Sequence, residues 1–227
     1  MFPIGDQRIR GASFPIVTVA LLAVNVLVFI YQATLGQSEL QRFVETWGTV
    51  PAEIAEGRDL QTLVTSMFVH GGWFHVASNM LFLWVFGDNI EVLLGRVGYL
   101  LFYLLGGIAA SGAQVLSNPA STVPSVGASG AVAAILGAYV LAFPQAYVRV
   151  LLFLGIFITT TRVTAILFVG VWALTQFFNG IAALGVQTAQ TGGVAYWAHI
   201  GGFVFGVLAG LLFRGRGEAI ALERPRR

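Results

Sequence analysis

The chain has 227 residues, 57% of them hydrophobic and only 10% charged, and twelve arginines with no lysine leave a formal net charge of +2. Soluble domains carry about 25% charged and about 45–50% apolar residues, so this composition excludes an ordinary water-soluble domain and points to a polytopic membrane protein. Cysteine is absent, which excludes disulfides and thiolate metal sites. No basic stripe with interleaved aromatics suggests nucleic-acid binding.

Six apolar segments approach the ~20 residues that cross a bilayer as helix. In chain order they run from Pro15 to Ala33, His75 to Leu94, Val97 to Leu116, Val126 to Ala142, Val163 to Leu184 and Val194 to Phe213. The apolar run Val148 to Thr160 reads either as a short interfacial segment or as an early start of span five. Arg8 and Arg10 precede span one much as in a signal peptide. Its length and the five later spans favour a retained anchor.

Orientation follows the arginines. A cytoplasmic N-terminus puts Arg8, Arg10, Arg96, Arg149, Arg162, Arg214, Arg216, Arg224, Arg226 and Arg227 on the cytoplasmic side and only Arg42 and Arg58 outside. That asymmetry satisfies the positive-inside rule and makes both termini cytoplasmic. The loop from Leu35 to Gly72 then lies outside. Leu40, Phe43, Val44 and Trp47 recur within it at helical spacing, as do Leu60, Leu63, Val64 and Phe68. These patterns predict short amphipathic helices at or dipping into the interface, the alternative being a solvated loop with two incidental helices.

Three histidines occur in the chain, each in a glycine-bearing apolar segment. Ionisable groups at membrane depth are costly to bury and are functional candidates. Ser129 opens span four within Gly127-Ala128-Ser129-Gly130, where the flanking glycines leave its hydroxyl uncrowded and the helix N-terminus offers free N–H groups. The competing reading is a small-residue packing face, with Gly127, Ala131 and Ala134 as its members. His199 is followed by Gly202, Gly206 and Gly210, which share one face of span six at four-residue spacing. If that face meets span four, His199 reaches Ser129 and can take its proton during nucleophilic attack. Alone, His199 would read as a structural histidine bonded to a carbonyl.

His75 and Asn79, four apart, present an imidazole and a carboxamide on one face of span two. Both can donate to developing negative charge. A three-imidazole metal site from His70, His75 and His199 is disfavoured, because no HExxH, nearby carboxylate or cysteine accompanies it. No acid lies near the outer ends of spans four or six, so a Ser–His dyad is the most this sequence allows. Asp88 and Glu91 fall at the inner end of span two. Their expected role is structural, bonding loop groups or pairing with Arg96.

Together these residues resemble one known family. His70-Gly71-Gly72-x-x-His75-x-x-x-Asn79, Gly127-Ala128-Ser129-Gly130 and Ala198-His199-x-x-Gly202-x-x-x-Gly206, with Gly87-Asp88-Asn89-x-Glu91 after span two, look like the rhomboid intramembrane serine proteases over nearly the whole chain. The resemblance implies an all-α, six-transmembrane-helix bundle in a single domain, 1–227, with a cytoplasmic segment 1–13 and a cytoplasmic tail 214–227. It implies Ser129 as nucleophile and His199 as general base, with His75, Asn79 and the Ser129 N–H as oxyanion hole. Gly127 and His70 support that site. Where many bacterial members carry a tyrosine that stacks on the histidine, this chain has Ala133. Tyr196 or Trp197 then becomes the candidate to hold the imidazole. The first outer loop also lacks the Trp-Arg pair of some members.

The implied activity is cleavage of transmembrane segments of other membrane proteins, with small side chains beside the scissile bond. The alternative is a catalytically silent relative that binds client transmembrane helices. Transmembrane protein substrates and the lipid bilayer are the expected partners, without nucleic acid, cofactor or metal. The expected location is a bacterial inner membrane. Span five, with Trp172, Phe177 and Phe178, is a candidate lateral gate, and 185–193 a candidate mobile cap.

Overall fold

The computed structural model describes residues 2–155, 157–184, 194–220 and 222. Its main helices are α1 (Ile16–Thr34), α5 (Trp73–Ser117), α6 (Ser129–Ala142), α7 (Ala165–Ala182) and α8 (Tyr196–Leu211). Between the first two lie α2 (Gln37–Trp47), α3 (Pro51–Ala55), α4 (Thr62–Thr65) and a 3-10 turn at Ser66–Phe68; α9 (Arg214–Ala219) follows α8. The short helices expected in the first outer loop are therefore present. Leu40, Phe43 and Val44 of α2 are half-buried, while Trp47 is exposed.

Among the described residues, three helices are long and apolar enough to cross a bilayer: α1, α5 and α7; α6 and α8 are apolar but shorter. The structure thus has the helical membrane bundle but, by length alone, three crossing helices rather than six spans. Spans two and three are the two arms of the 45-residue α5. Gly95, at φ 72° and ψ 163°, breaks the helix between them in a conformation glycine adopts without a Cβ penalty. The second arm turns back on the first, so that Tyr99 Oη stands 2.6 Å from where a Cβ on Gly87 would be.

The all-α expectation needs correction, because a three-stranded antiparallel sheet accompanies the bundle. Its strands are β1 (Phe2–Gly5), β2 (Tyr147–Leu154) and β3 (Phe157–Thr164), in the order β1-β2-β3. The run 148–160 is neither an interfacial helix nor part of α7. Val148 and Val150 are buried while Tyr147 and Arg149 are exposed, the two-residue period of a strand with one face packed. Gly155, at φ 64°, lets the chain reverse, and β3 is rich in the β-branched residues that favour strands. Likewise the N-terminal segment is no mere tail. Phe2 pairs with Leu151, and its ring meets those of Phe74 and Phe153 edge-on at 6.4 and 6.0 Å. The sheet lies against α5 through β1 and against α7 through β2 and β3.

Polar side chains lock the end of this assembly at which α1 begins. Glu91 accepts hydrogen bonds from Val17 N, Thr18 N and Thr18 Oγ1 at 2.8–3.0 Å. It thereby serves amides that the first turn of α1 leaves without intrahelical acceptors. The Asp88 carboxylate lies 3.5 Å from Arg8, so its ion-pair partner is Arg8 and not the expected Arg96. Asn89 Oδ1 accepts from Ile9 N, and its Nδ2 donates to Asp6 Oδ2 at 2.7 Å. Tyr139 Oη donates to the same Asp6 oxygen at 2.6 Å.

Burial, and after it the nearby Asp88 carboxylate, push the Asp6 carboxyl up from 3.8 to about 7. A carboxyl whose folded value is raised binds more protons folded than unfolded across that interval. Its contribution to stability is full at low pH and is lost as pH rises from 3.8 towards 7. In detergent, the wild-type protein is expected to melt at lower temperature at pH 8 than at pH 5. The Asp6→Asn variant should narrow that gap, the carboxyl's share of it being on the order of 2–3 kcal/mol. An equal gap in both proteins would clear Asp6 of the effect.

The core lies where α5, α6 and α8 meet, with the α6–α8 interface the most extensive. Along α6, every residue from Gly130 to Tyr139 is buried. Gly202 and Gly206 of α8 lie so close that a Cβ on either would run into the carbonyl oxygen of Gly130 or Ala134, respectively. Small residues let two apolar helices approach to backbone contact, and that contact positions the residues described next.

Candidate active site

Ser129 is the first residue of α6, and its position is set from both sides. Thr49 and Ser125 exchange backbone hydrogen bonds at 2.8 and 2.9 Å, and Gly127 N donates to Ser66 O at 2.9 Å. The segment between α1 and α5 thus holds the strand-like approach to α6. Gly127 sits at φ +121°, where a side chain is strained, and a Cβ there would come within 2.6 Å of His75 Nε2. Glycine is required here on both counts. As the opening residue of α6, Ser129 places its N–H in the turn whose amides lack intrahelical acceptors.

His199 lies in the first turn of α8. The preceding residue, Ala198, donates its N–H to Gln114 Oε1 of the second α5 arm at 3.3 Å, and Gly202 one turn on closes against α6. These contacts bring His199 Nε2 to 2.8 Å from Ser129 Oγ, across seventy positions of sequence. Both residues are half-buried.

The ring of His199 has further neighbours. Its Nδ1 lies 2.8 Å from Gln176 Oε1 of α7. Trp172, one turn earlier on α7, lies over it with centroids 6.0 Å apart and planes at 34°. Tyr196 meets it edge-on at 6.4 Å. Of the two residues expected to hold the imidazole in the absence of a ring at Ala133, Tyr196 contributes an edge contact. Trp197 lies instead toward Gly180. The larger share comes from α7, through Trp172 and Gln176. The sequence offers Trp172 as a gate candidate and does not mark Gln176, which shares α7 with a second amide, Asn179; its i, i+4 relation to Trp172 is the available signal.

His75 and Asn79 approach the same segment from α5. Gly71 N donates to His75 Nδ1 at 3.3 Å, which assigns the proton of a neutral His75 to Nε2, the nitrogen facing Gly127. Asn79 Nδ2 lies 3.7 Å from the Cβ position of Gly127 and is buried with no hydrogen-bond partner among the described residues. Two donors therefore converge beside Ser129. His70 stands behind them, its ring edge-on to His75 at 5.1 Å. Burial, with a further effect from His75, holds its imidazole down at about 4. Its backbone is clamped by Gln32 of α1, which donates to His70 O and accepts from His70 N, both at 3.0 Å. Gln32, like Gln176, carries no mark in the sequence patterns.

A cavity of about 670 Å³ runs over these groups, lined by Trp73, Phe74, His75 and Asn79 of α5, Ser129 of α6, Trp172 of α7 and His199 of α8. Helices α5 and α7 touch only lightly beside it, through Phe82 and Phe86 against Phe168. Of the candidate gate residues, Trp172 lines the cavity, whereas Phe177 and Phe178 are 46% and 65% exposed on the outer face of α7. The candidate cap at 185–193 lies outside the described residues. Among the described residues no group of histidines and acids is arranged to hold a metal ion.

A family model described as the Rhomboid domain matches residues 57–216. The chain belongs to the rhomboid family. It is 30% identical over 214 residues to Rhomboid protein 1, mitochondrial, of Saccharomyces cerevisiae, covering 92% of this chain and 55% of the relative. It is 32% identical over 180 residues to RHOMBOID-like protein 1 of Arabidopsis thaliana, covering 79% of this chain and 41% of the relative. Rhomboid protease GluP of Bacillus subtilis matches at 32% over 124 residues, 55% of this chain and 24% of the relative. The chain thus spans about half the length of the first of these relatives and less of the others. Family and apolar helices make it an integral membrane protein. A bacterial inner membrane gains no support from this set, which includes a mitochondrial protein.

Proposed function

We propose that this rhomboid is an intramembrane serine endopeptidase that cleaves transmembrane segments of membrane proteins. The observation that carries the reading is the 2.8 Å contact between Ser129 Oγ and His199 Nε2, placed on the wall of a cavity large enough for a peptide segment. In this reading the chain crosses the membrane six times, with the two arms of α5 counted separately and both termini cytoplasmic. The shortness of α6 and α8 accords with a site sunk below the outer surface, where their first residues, Ser129 and Tyr196, begin.

The chemistry follows from the groups present. As Ser129 Oγ forms its bond to the scissile carbonyl carbon, His199 Nε2 takes the hydroxyl proton. The carbonyl oxygen becomes an oxyanion for which His75 Nε2–H, Asn79 Nδ2–H and Ser129 N–H are the proposed donors. Collapse of this intermediate breaks the C–N bond, and His199 returns the proton to the departing amine. Water then attacks the acyl ester by the same route in reverse, releasing the carboxylate and restoring Ser129. A helical peptide bond is shielded by its own hydrogen bonds, so the substrate unwinds locally before it reaches Ser129. The light contact between α5 and α7 suits lateral entry from the bilayer.

A fluorophosphonate probe tests this reading directly, since it reacts with an activated serine and needs no knowledge of the substrate. Stoichiometric labelling of the folded wild-type protein, mapped to Ser129 by mass spectrometry, is the expected result. A folded protein that stays unlabelled would favour the silent, client-binding alternative.

A further inference from the structure

Both ring nitrogens of His199 are engaged, and only one tautomer suits both partners. Gln176 settles which. Its Nε2 donates to Trp172 O at 3.3 Å, four residues back on α7, and to Thr175 Oγ1 at 3.1 Å. With the amide nitrogen so committed, Oε1 is the atom presented to His199 Nδ1 at 2.8 Å. An oxygen without a proton can only accept, so Nδ1 must carry the hydrogen. A neutral imidazole protonated on Nδ1 has its lone pair on Nε2, and Nε2 is the nitrogen 2.8 Å from Ser129 Oγ. The other tautomer would set two lone pairs against each other at Nδ1 and aim an N–H at the hydroxyl oxygen.

The bland account is that an amide on a largely apolar helix has merely found a local partner. Bonding back to Trp172 O satisfies the nitrogen in that way. It does not explain the oxygen, whose partner among the described residues is His199 on a different helix. Nor does it explain why Trp172 and Gln176, one turn apart, both address the same ring.

We infer that Gln176 is a positioning residue that holds His199 Nδ1 as the protonated nitrogen and so keeps Nε2 free to act as base toward Ser129. The inference rests on the Ser129–His199 reading proposed above. When the ring accepts the serine proton, the Nδ1–H donor becomes part of a cation. The bond to Oε1 then strengthens, as hydrogen bonds from charged donors do. In a well-studied serine protease, a change that leaves the imidazole in the wrong tautomer lowers kcat about 10⁴-fold. An uncharged amide that biases a tautomer is expected to matter less.

The test compares Gln176→Met, which keeps the length and loses the acceptor, with Gln176→Glu, which keeps an acceptor oxygen. Cleavage of a transmembrane reporter and the rate of fluorophosphonate labelling are measured on the detergent-folded full chain. Gln176→Met should lower kcat about 10- to 100-fold with KM within about twofold, and should slow labelling by a similar factor. Gln176→Glu should recover most of both rates. Labelling of Gln176→Met at the wild-type rate would overturn the inference, as would equal slowing in the Met and Glu variants, which would mark a packing role. Slowed reporter cleavage with unchanged labelling would place Gln176 on the substrate's path instead, and also overturns it. Absence of labelling in wild type would be the distinct failure of the Ser129–His199 reading itself.

Discussion

Alanine at position 129 is expected to abolish cleavage of a transmembrane reporter, and alanine at position 199 to do nearly the same. In the proposed reaction Ser129 Oγ and His199 Nε2, 2.8 Å apart, act as one unit. Removing either member of such a unit costs on the order of 10⁴- to 10⁶-fold in kcat, and removing both costs little more. The double variant should therefore be no slower than Ser129→Ala alone. Neither change is expected to unfold the protein. Ser129 is half-buried at a helix start and His199 borders the cavity, so both truncations leave the α6–α8 interface intact. Reporter cleavage in liposomes, with melting temperature as control, measures both quantities. Undiminished turnover in either single variant would remove the proposed chemistry.

A second large effect is expected at a distance from the reacting atoms. Gly202 and Gly206 face the backbone oxygens of Gly130 and Ala134, and a Cβ on either has no room without parting the helices. Backbone atoms cannot rotate aside as a side chain does. Gly206→Ala should therefore displace α8 from α6 and carry His199 away from Ser129. A misplacement of about 1 Å can cost about 10²-fold in rate, and overpacking costs about 1–3 kcal/mol of stability. Gly210 provides the control on the same face. A Cβ there would stand 3.1 Å from the backbone Cα of Ala138 and 3.4 Å from the flexible Leu141 side chain, so the backbone need give only a few tenths of an ångström. Gly210→Ala should retain most activity. Equal loss at 206 and 210 would mean that helix approach does not set the Ser129–His199 distance.

Much of this arrangement was legible in the chain before any coordinates. Apolar length marked the helices, because a bilayer demands it. The glycine ladder of span six marked a close interface, and Ser129, His199, His75 and Asn79 stood out as polar groups in apolar segments. The misreadings have a common cause. The run 148–160 is apolar but for Arg149, Thr159 and Thr160, and its strand character shows only once one face is packed, as Val148 and Val150 are. Asp88 was matched to Arg96 nearby in sequence, but a folded chain brings Arg8 to it instead. Glu91 was read as structural without its purpose, which is to receive the amides of a helix start seventy-odd residues away.

From the residues alone follow a membrane-embedded helical chain, and a serine and a histidine with the chemistry of a nucleophile and a base. Those conclusions rest on composition and local spacing, to which hydrophobicity and helical period respond directly. Only the tertiary structure decided that the two groups lie 2.8 Å apart, that a sheet joins the N-terminus to the α6–α7 connection, and that an amide from α7 faces the far side of the imidazole. Each of these is a meeting of residues distant in sequence, and such meetings are settled by how helices and strands pack rather than by what any one of them contains.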